Sequence, residues 1–115
     1  MKKYIYLEFL SLVHGLTGNK YDLNLDVKSY QLLSMIVLHA MNQKPLNVSA
    51  SMKLNSIASP ATLHRYLKIL EEQQLIELIS QGTNLRAKYL KPTKKALNYF
   101  SKLNQLMGKV YKNNT

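Results

Sequence analysis

The clearest hydrophobic pattern in the chain runs from Ser59 to Ile76 (SPATLHRYLKILEEQQLI). Its large apolar residues recur every three or four positions, which predicts a helix with one buried stripe formed by Leu63, Tyr66, Leu67 and Leu70. Ser59 is typical of an N-cap, and Pro60 fits the first helical position because its missing N–H costs nothing there. The opposite face carries small, polar or cationic side chains: Ala61, Thr62, His64, Arg65 and Lys68.

Two interpretations of this helix stay open on its pattern alone. A DNA recognition helix needs small or polar groups at its N-terminal end, where bulky or acidic side chains would clash with bases or repel phosphates. The acidic residues of this helix, Glu71 and Glu72, lie near its C-terminal end and so away from the proposed base contacts. The alternative is an ordinary amphipathic surface helix.

The preceding segment, residues 46–57, favours the first interpretation. It supplies a short apolar lead-in and then a predicted helix of about two turns, capped by Asn47 or Ser49. Two helices joined by a short turn form a helix-turn-helix, here residues 46–74. Three side chains of the first helix suit contacts with backbone phosphates, which position a protein without specifying sequence: Ser49, Ser51 and Lys53.

The pattern then changes to that of a hairpin over residues 75–91. An Ile-rich run and an alternating run flank Gly82, which tolerates the backbone angles of a tight turn. Alternation puts Arg86, Lys88 and Leu90 on one face and Leu85, Ala87 and Tyr89 on the other, and does not decide which face meets the core. Beside a helix-turn-helix, a basic ribbon is typical of a wing that enters the minor groove, while the alternative is a solvated hairpin.

These residues resemble the winged helix of the multiple-antibiotic-resistance regulator (MarR) family. Residues 57–76 are similar to its recognition helix, and Asn84–Thr93 (NLRAKYLKPT) matches its wing pattern Asp-x-Arg-x-Lys-x-x-x-Leu-Thr. The resemblance implies that Arg86 reaches the minor groove and that Thr93 starts the next helix. The sequence departs from the family pattern at three positions: Asn84 replaces aspartate, Gln74 replaces glycine and Pro92 replaces leucine.

Patterns on either side predict the remaining helices. Residues 3–14 read as an amphipathic helix, because Glu8 interrupts an apolar run that otherwise resembles a secretion signal. Residues 27–42 form the first core helix, capped by Asp26, and residues 93–111 form a C-terminal helix followed by a frayed tail from Lys112. The stripe of the core helix is predicted to consist of Val27, Tyr30, Leu33, Ile36, Val37 and Ala40.

The two terminal helices carry more apolar surface than a small winged helix covers. Proteins of the resembled family dimerise through such helices, so the resemblance implies a homodimer whose recognition helices lie about one duplex turn apart. The family commonly has two helices after the wing, whereas this chain has one. Six aromatic residues are candidates for lining a small-molecule effector pocket or, alternatively, belong to an ordinary core: Tyr4, Tyr6, Phe9, Tyr30, Tyr99 and Phe100.

Composition narrows the class of function. At 115 residues, the chain is expected to be one domain, mainly α with a small β-hairpin (α+β): a winged helix-turn-helix with extra N- and C-terminal helices. Its formal net charge of +10, with no acidic residue between Val27 and Leu70 or after Glu77, predicts a polyanionic partner. The absence of cysteine excludes thiol chemistry. No apolar run is long enough to span a bilayer, and we expect a cytoplasmic bacterial protein.

Neither enzymatic chemistry nor a bound metal or cofactor is expected. The three histidines, His14, His39 and His64, fall in three different elements and lack the spacing of a metal pair. The sequence therefore predicts a dimeric, sequence-specific regulator of transcription that binds double-stranded DNA, most simply as a repressor. The candidate contacts are Ser59, Ala61, Thr62, His64, Arg65, Lys68, Asn84, Arg86 and Lys88.

Two alternatives stay open. One is a winged-helix interaction or assembly module, whose basic surface meets an acidic protein or RNA without base readout. The other is a replication or partition factor that binds DNA through the same face.

Overall fold

A computed structural model describes residues 2–15, 23–81 and 84–115, with only the backbone described at residue 81 and residues 84–86. In these ranges the chain forms five helices and one hairpin: α1 (Ile5–His14), α2 (Val27–Met41), α3 (Val48–Ser51), α4 (Pro60–Glu72), β1 (Ile76–Gln81), β2 (Asn84–Pro92) and α5 (Lys94–Asn113). The predicted class, mainly α with a small hairpin and extra terminal helices, is confirmed. The hairpin tip predicted near Gly82 lies outside the described residues.

Helix α2 begins where its cap was predicted, and its buried stripe matches the prediction at Leu33 and Ile36 but adds Leu32 and leaves out Val27. The Asp26 carboxylate accepts a hydrogen bond from the Ser29 N–H at 2.8 Å. Leu32, Leu33 and Ile36 are fully buried, whereas Val27 is 71% exposed. Val27 therefore does not belong to the buried stripe, because it stands at the first helical position, where few other elements surround it.

The first helix of the helix-turn-helix is shorter than predicted. α3 has four residues, about one turn, and the chain continues through turns to Ile57. Asn47 is the cap, since its side-chain oxygen accepts from the Ala50 N–H at 2.7 Å. Ser51 is completely buried and its hydroxyl donates to the Val48 carbonyl at 2.6 Å. Ser51 is therefore not a phosphate contact, and that prediction is wrong.

The hairpin gains a third partner from the chain before α3. β1 and β2 pair antiparallel from Ile76 opposite Pro92 to Ser80 opposite Lys88, with an irregularity between Ser80 and Gln81. On the other side of β2, Asn47 bridges to Tyr89, and the Leu90 N–H donates to the Leu46 carbonyl at 2.8 Å. Leu90 is fully buried, so the Leu90 side of β2 faces the core near the root of the hairpin.

The described chain divides into two compact units. The winged-helix unit covers Leu25–Leu97 and the terminal unit covers Met1–Asn24 with Asn98–Thr115. Most of the buried apolar side chains belong to the winged-helix unit, for example Leu33, Leu63 and Leu70. The prediction of a single domain of 115 residues stays a prediction.

Within the terminal unit, polar contacts join the two chain ends. Glu8 lies 3.6 Å from the Lys3 ammonium and accepts a hydrogen bond from the Asn114 side-chain amide at 2.8 Å. The helix α5 continues to Asn113, so the prediction of a tail that frays from Lys112 is wrong: Asn114 is anchored by Glu8 and by the Val110 carbonyl. No helix in the described ranges is both long and apolar enough to cross a membrane.

Candidate nucleic-acid interface

The candidate interface is built on α4, whose start is fixed as the sequence predicts. The Ser59 hydroxyl accepts from the Thr62 N–H at 3.5 Å and donates to the Thr62 hydroxyl at 3.1 Å, and Pro60 is the first helical residue. This pair closes the N-terminal turn. The Ser59 hydroxyl therefore forms the cap, and since Ser59 is exposed, nothing in the structure tests whether it also contacts a ligand.

One face of α4 is buried and the other is open. Leu63 and Leu70 are completely buried, and Leu67 nearly so, against the rest of the winged-helix unit. On the open face, Thr62 is half-buried, and the remaining predicted contacts are exposed: Ala61, His64, Arg65 and Lys68. The structure therefore brings these five residues together on one surface, although nothing in it tests what they bind.

Arg65 has two neighbours that sequence patterns did not reveal. Its guanidinium lies 5.7 Å from the centre of the Tyr66 ring, within the range of a cation–π interaction. Asp26 at the start of α2 is close enough for the Arg65 charge to stabilise its carboxylate. The pKa of Asp26 is held below its ordinary value, first by the hydrogen bond from the Ser29 N–H and further by the charge of Arg65. Asp26 is thus an electrostatic neighbour of the candidate interface.

Of the contacts predicted in the hairpin, Lys88 is the one whose side chain the structure describes. Lys88 is exposed, and its ammonium donates to the Ser80 hydroxyl at 2.8 Å, which ties β2 to β1. The side chains of Asn84 and Arg86 lie outside the described part of the structure. Their positions in β2 place them nearer the hairpin tip than Lys88.

A cleft of about 500 Å³ lies between α3, α4 and the hairpin. Its floor is apolar, formed by Leu67, Leu78 and Ala87, and its rim is polar, with two lysines and one glutamate: Asn47, Ser49, His64, Lys68, Glu71 and Lys88. Ser49 and Lys53 are both exposed, as a phosphate contact requires. Sequence reasoning missed the place of Asn47 here, because that place depends on its bridge to Tyr89, which is distant in sequence.

Among the described side chains of this surface, none forms an ion pair with a carboxylate within 4.0 Å. Among the described residues, the carboxylate within 4.0 Å of a lysine or arginine nitrogen is Glu8, in the terminal unit. In the same ranges, no group of three or more histidine and acidic side chains is arranged to hold a metal ion.

The six aromatic candidates for an effector pocket do not share one environment. Tyr4 and Tyr6 are exposed, and Phe100 packs edge-on against Tyr99 with ring centres 5.1 Å apart. Tyr30 lines a groove of about 400 Å³ in the winged-helix unit, together with Met35 and Ile57 among others.

Comparisons with solved structures identify the fold. The chain is similar to MepR of S. aureus, solved in complex with DNA: the TM-score is 0.66 at 14% identity, covering 97% of this chain and 89% of that one. It is also similar to apo MarR of E. coli (TM-score 0.59, 19% identity, 96% and 75% covered) and to the heme sensor PefR of Streptococcus agalactiae in complex with heme (TM-score 0.61, 17% identity, 95% and 73% covered). No family model and no curated protein sequence matches the chain. The predicted MarR-like winged-helix fold is confirmed.

Proposed function

We propose that this chain is a DNA-binding transcription regulator, and not an enzyme, that reads duplex DNA with α4 and the β1–β2 wing. The observation that carries the proposal is the open face of α4, where small and polar side chains at the nose precede Arg65 and Lys68. A helix of this kind fits the major groove, which is wide enough to admit it. The similar fold of MepR, solved with DNA, supports the same class of ligand.

The proposed contacts divide by the kind of information they read. Ala61, Thr62, His64 and Arg65 face base edges, and Lys68 with the exposed Ser49 and Lys53 faces phosphates. In the wing, Arg86 enters the minor groove, assisted by Lys88 and Asn84. The large positive charge adds a sequence-independent attraction that weakens as salt rises.

The proposed regulator is a homodimer joined by its terminal helices. α1 fully buries none of its residues, and the apolar side chains of its first turn, Ile5, Tyr6 and Leu7, are exposed together with that of the N-cap Tyr4. Met107 and Tyr111 of α5 are exposed as well. Apolar surface of this extent is covered most simply by a second copy, which places two α4 helices on a quasi-palindromic site. Such a dimer would act as a cytoplasmic repressor by occluding a promoter.

The decisive experiment is selection from a randomised duplex library at near-physiological salt, where bulk attraction to phosphates is suppressed. We expect enrichment of an inverted repeat whose half-sites lie about one turn apart. If no motif is enriched and residual binding disappears as salt rises, the proposal fails, and the winged helix is an interaction module for another partner.

A pair of variants matched in charge tests the reading face. Arg65→Gln should weaken binding to the selected site about tenfold or more, whereas Lys112→Gln, which removes the same charge from the terminal unit, should leave it nearly unchanged. On random duplexes, Lys112→Gln should again bind nearly as the wild type does, and the loss caused by Arg65→Gln should be smaller than its loss on the selected site. Equal losses on the selected site would contradict base readout by α4.

A further inference from the structure

The C-terminal end of α4 is the root from which the wing emerges. The helix ends at Glu72, Gln73 follows as its C-cap, and Gln74 adopts a left-handed backbone with φ of 60° before β1 begins at Ile76. The last carbonyls of a helix lack partners within it, and a glutamine is a costly choice for this conformation. The turn is closed by its own backbone, since the Gln74 N–H donates to the Glu71 carbonyl and the Leu75 N–H to the Leu70 carbonyl, both at 2.9 Å. The carbonyls of the turn itself need partners from outside α4.

The start of α5 holds it through three consecutive carbonyls. The Lys95 ammonium donates to the Gln73 carbonyl at 2.9 Å, and the Thr93 hydroxyl donates to the Gln74 carbonyl at 2.7 Å. The Thr93 N–H donates to the Leu75 carbonyl at 3.1 Å. We call this set of three hydrogen bonds the root clamp. A lysine at this place also complements the negative end of the helix dipole.

The clamp has a second connection, into α5 itself. The Thr93 hydroxyl accepts from the Ala96 N–H at 3.3 Å, so this single hydroxyl caps the start of α5 while it fastens the end of α4. The surrounding apolar side chains are closely packed: Leu75 and Ala96 are completely buried and Ile76 is 1% exposed. Because Ile76 pairs with Pro92, both strands of the wing leave from the clamped segment.

We propose that Thr93 and Lys95 are positioning residues that set the direction of the wing relative to the recognition helix. This inference rests on the proposed function, since it supposes that α4 and the wing contact one duplex together. A helix in one groove and a ribbon in the next bind more tightly together when their spacing is fixed before binding, because less conformational freedom is then lost on binding. The clamp fixes that spacing because it joins the end of one element to the root of the other.

The test uses full-length protein and the duplex selected by the wild type. Thr93→Val removes the hydroxyl at nearly constant volume, and Thr93→Ser restores it. Lys95→Gln removes the bond to Gln73, and its matched control is Lys94→Gln: Lys94 is equally charged and exposed, and donates to no carbonyl among the described residues. Each variant is measured with and without Arg86→Ala, which removes the wing contact.

We expect Thr93→Val and Lys95→Gln to weaken binding to the selected duplex by several-fold to about tenfold, the size of one lost hydrogen bond. Thr93→Ser and Lys94→Gln should bind nearly as the wild type does. The readout that distinguishes positioning from stability is the effect of Arg86→Ala, which should shrink in the clamp variants because their wing is no longer held in place. Circular dichroism confirms that the compared proteins are folded.

Each outcome decides between the two hypotheses. If the wild type binds its selected duplex and Arg86→Ala weakens every variant by the same factor, the clamp does not position the wing, and the inference is overturned while the proposed function stands. If the wild type shows no sequence preference, the proposed function fails and the inference fails with it. Should Thr93→Val not fold, the comparison of Lys95→Gln with Lys94→Gln decides alone.

Discussion

The winged-helix unit and the terminal unit solve the problem of burying apolar surface in different ways. In the winged-helix unit, α2, α4 and the root of the hairpin enclose a set of fully buried aliphatic side chains, among them Leu33, Leu63 and Leu90. In the terminal unit, α1 buries no residue, and the described buried apolar residues are Leu23 and Val110.

This difference shows that an amphipathic helix does not by itself indicate that the same chain buries its apolar side. α1 and α4 both carry apolar stripes, but the stripe of α4 is buried by the same chain, whereas the apolar side chains of α1 are at most half-buried. We infer a division of labour, in which the winged-helix unit is stable by itself and the terminal unit is completed by association. The following predictions test that contrast.

The largest effect is expected from the core of the winged-helix unit. Leu70→Ala should lower the free energy of unfolding by about 2–5 kcal/mol at any protein concentration, because it leaves a cavity at a fully buried site. Leu7→Ala, at a site that is 58% exposed, should act only through association, so its effect should vanish on dilution. Urea unfolding at several protein concentrations checks both. Equal, concentration-independent losses would show that α1 is buried within its own chain.

The next effect concerns self-association. Met107→Lys should raise the dissociation constant of the dimer about tenfold or more, because it buries an unpaired charge in an apolar interface. Met41→Lys is its matched control, since Met41 is 68% exposed and Met107 is 57% exposed but Met41 lies in the winged-helix unit. Sedimentation velocity measures both variants. If Met41→Lys dissociates the dimer and Met107→Lys does not, the interface lies on the winged-helix unit, and the proposed interface through the terminal helices is wrong.

The contrast also explains how much the sequence could predict. Local signals were sufficient for the helix caps at Asp26 and Ser59 and narrowed the third to Asn47 or Ser49, of which Asn47 is the cap, because a cap is set by residues within one turn. The exposed face of α4 could also be predicted, because the three- and four-residue spacing of its apolar positions is likewise a local signal.

Features that depend on distant pairing were not predictable. The burial of Leu90 shows which side of the hairpin faces inward near its root, whereas alternation within the hairpin alone leaves both sides equivalent. The closeness of Asp26 to Arg65 likewise depends on how α2 packs beside α4. In the terminal unit, the anchoring of Asn114 by Glu8 joins residues 106 positions apart, which no local pattern signals.

A smaller effect on the free energy of unfolding is expected at two turns of the winged-helix unit that have a strained backbone. Gln43 and Gln74 follow α2 and α4 with φ of 61° and 60°, and each turn repeats the same pair of closing backbone hydrogen bonds. Gln43→Gly and Gln74→Gly should each raise the free energy of unfolding by up to about 1 kcal/mol, because glycine adopts this conformation without strain. Thermal unfolding of the two variants measures this gain. A loss of stability in both would show that the glutamine side chains contribute more than their backbones cost.

The smallest effect concerns the stability of the winged-helix unit in acid. The pKa of Asp26 is lowered by the Ser29 N–H and, further, by the charge of Arg65, so ionised Asp26 stabilises the fold above its ordinary value of 3.8, and this contribution is lost as pH falls through the lowered pKa. Asp26→Asn keeps an acceptor for the cap but not the charge, so the variant should be slightly less stable than the wild type near neutral pH and equally stable in strong acid. Melting temperatures across that range test the sign. A difference that persists unchanged into strong acid would mean that Asp26 acts through its shape and hydrogen bond, and that the positive charge of Arg65 is not balanced by α2 at all.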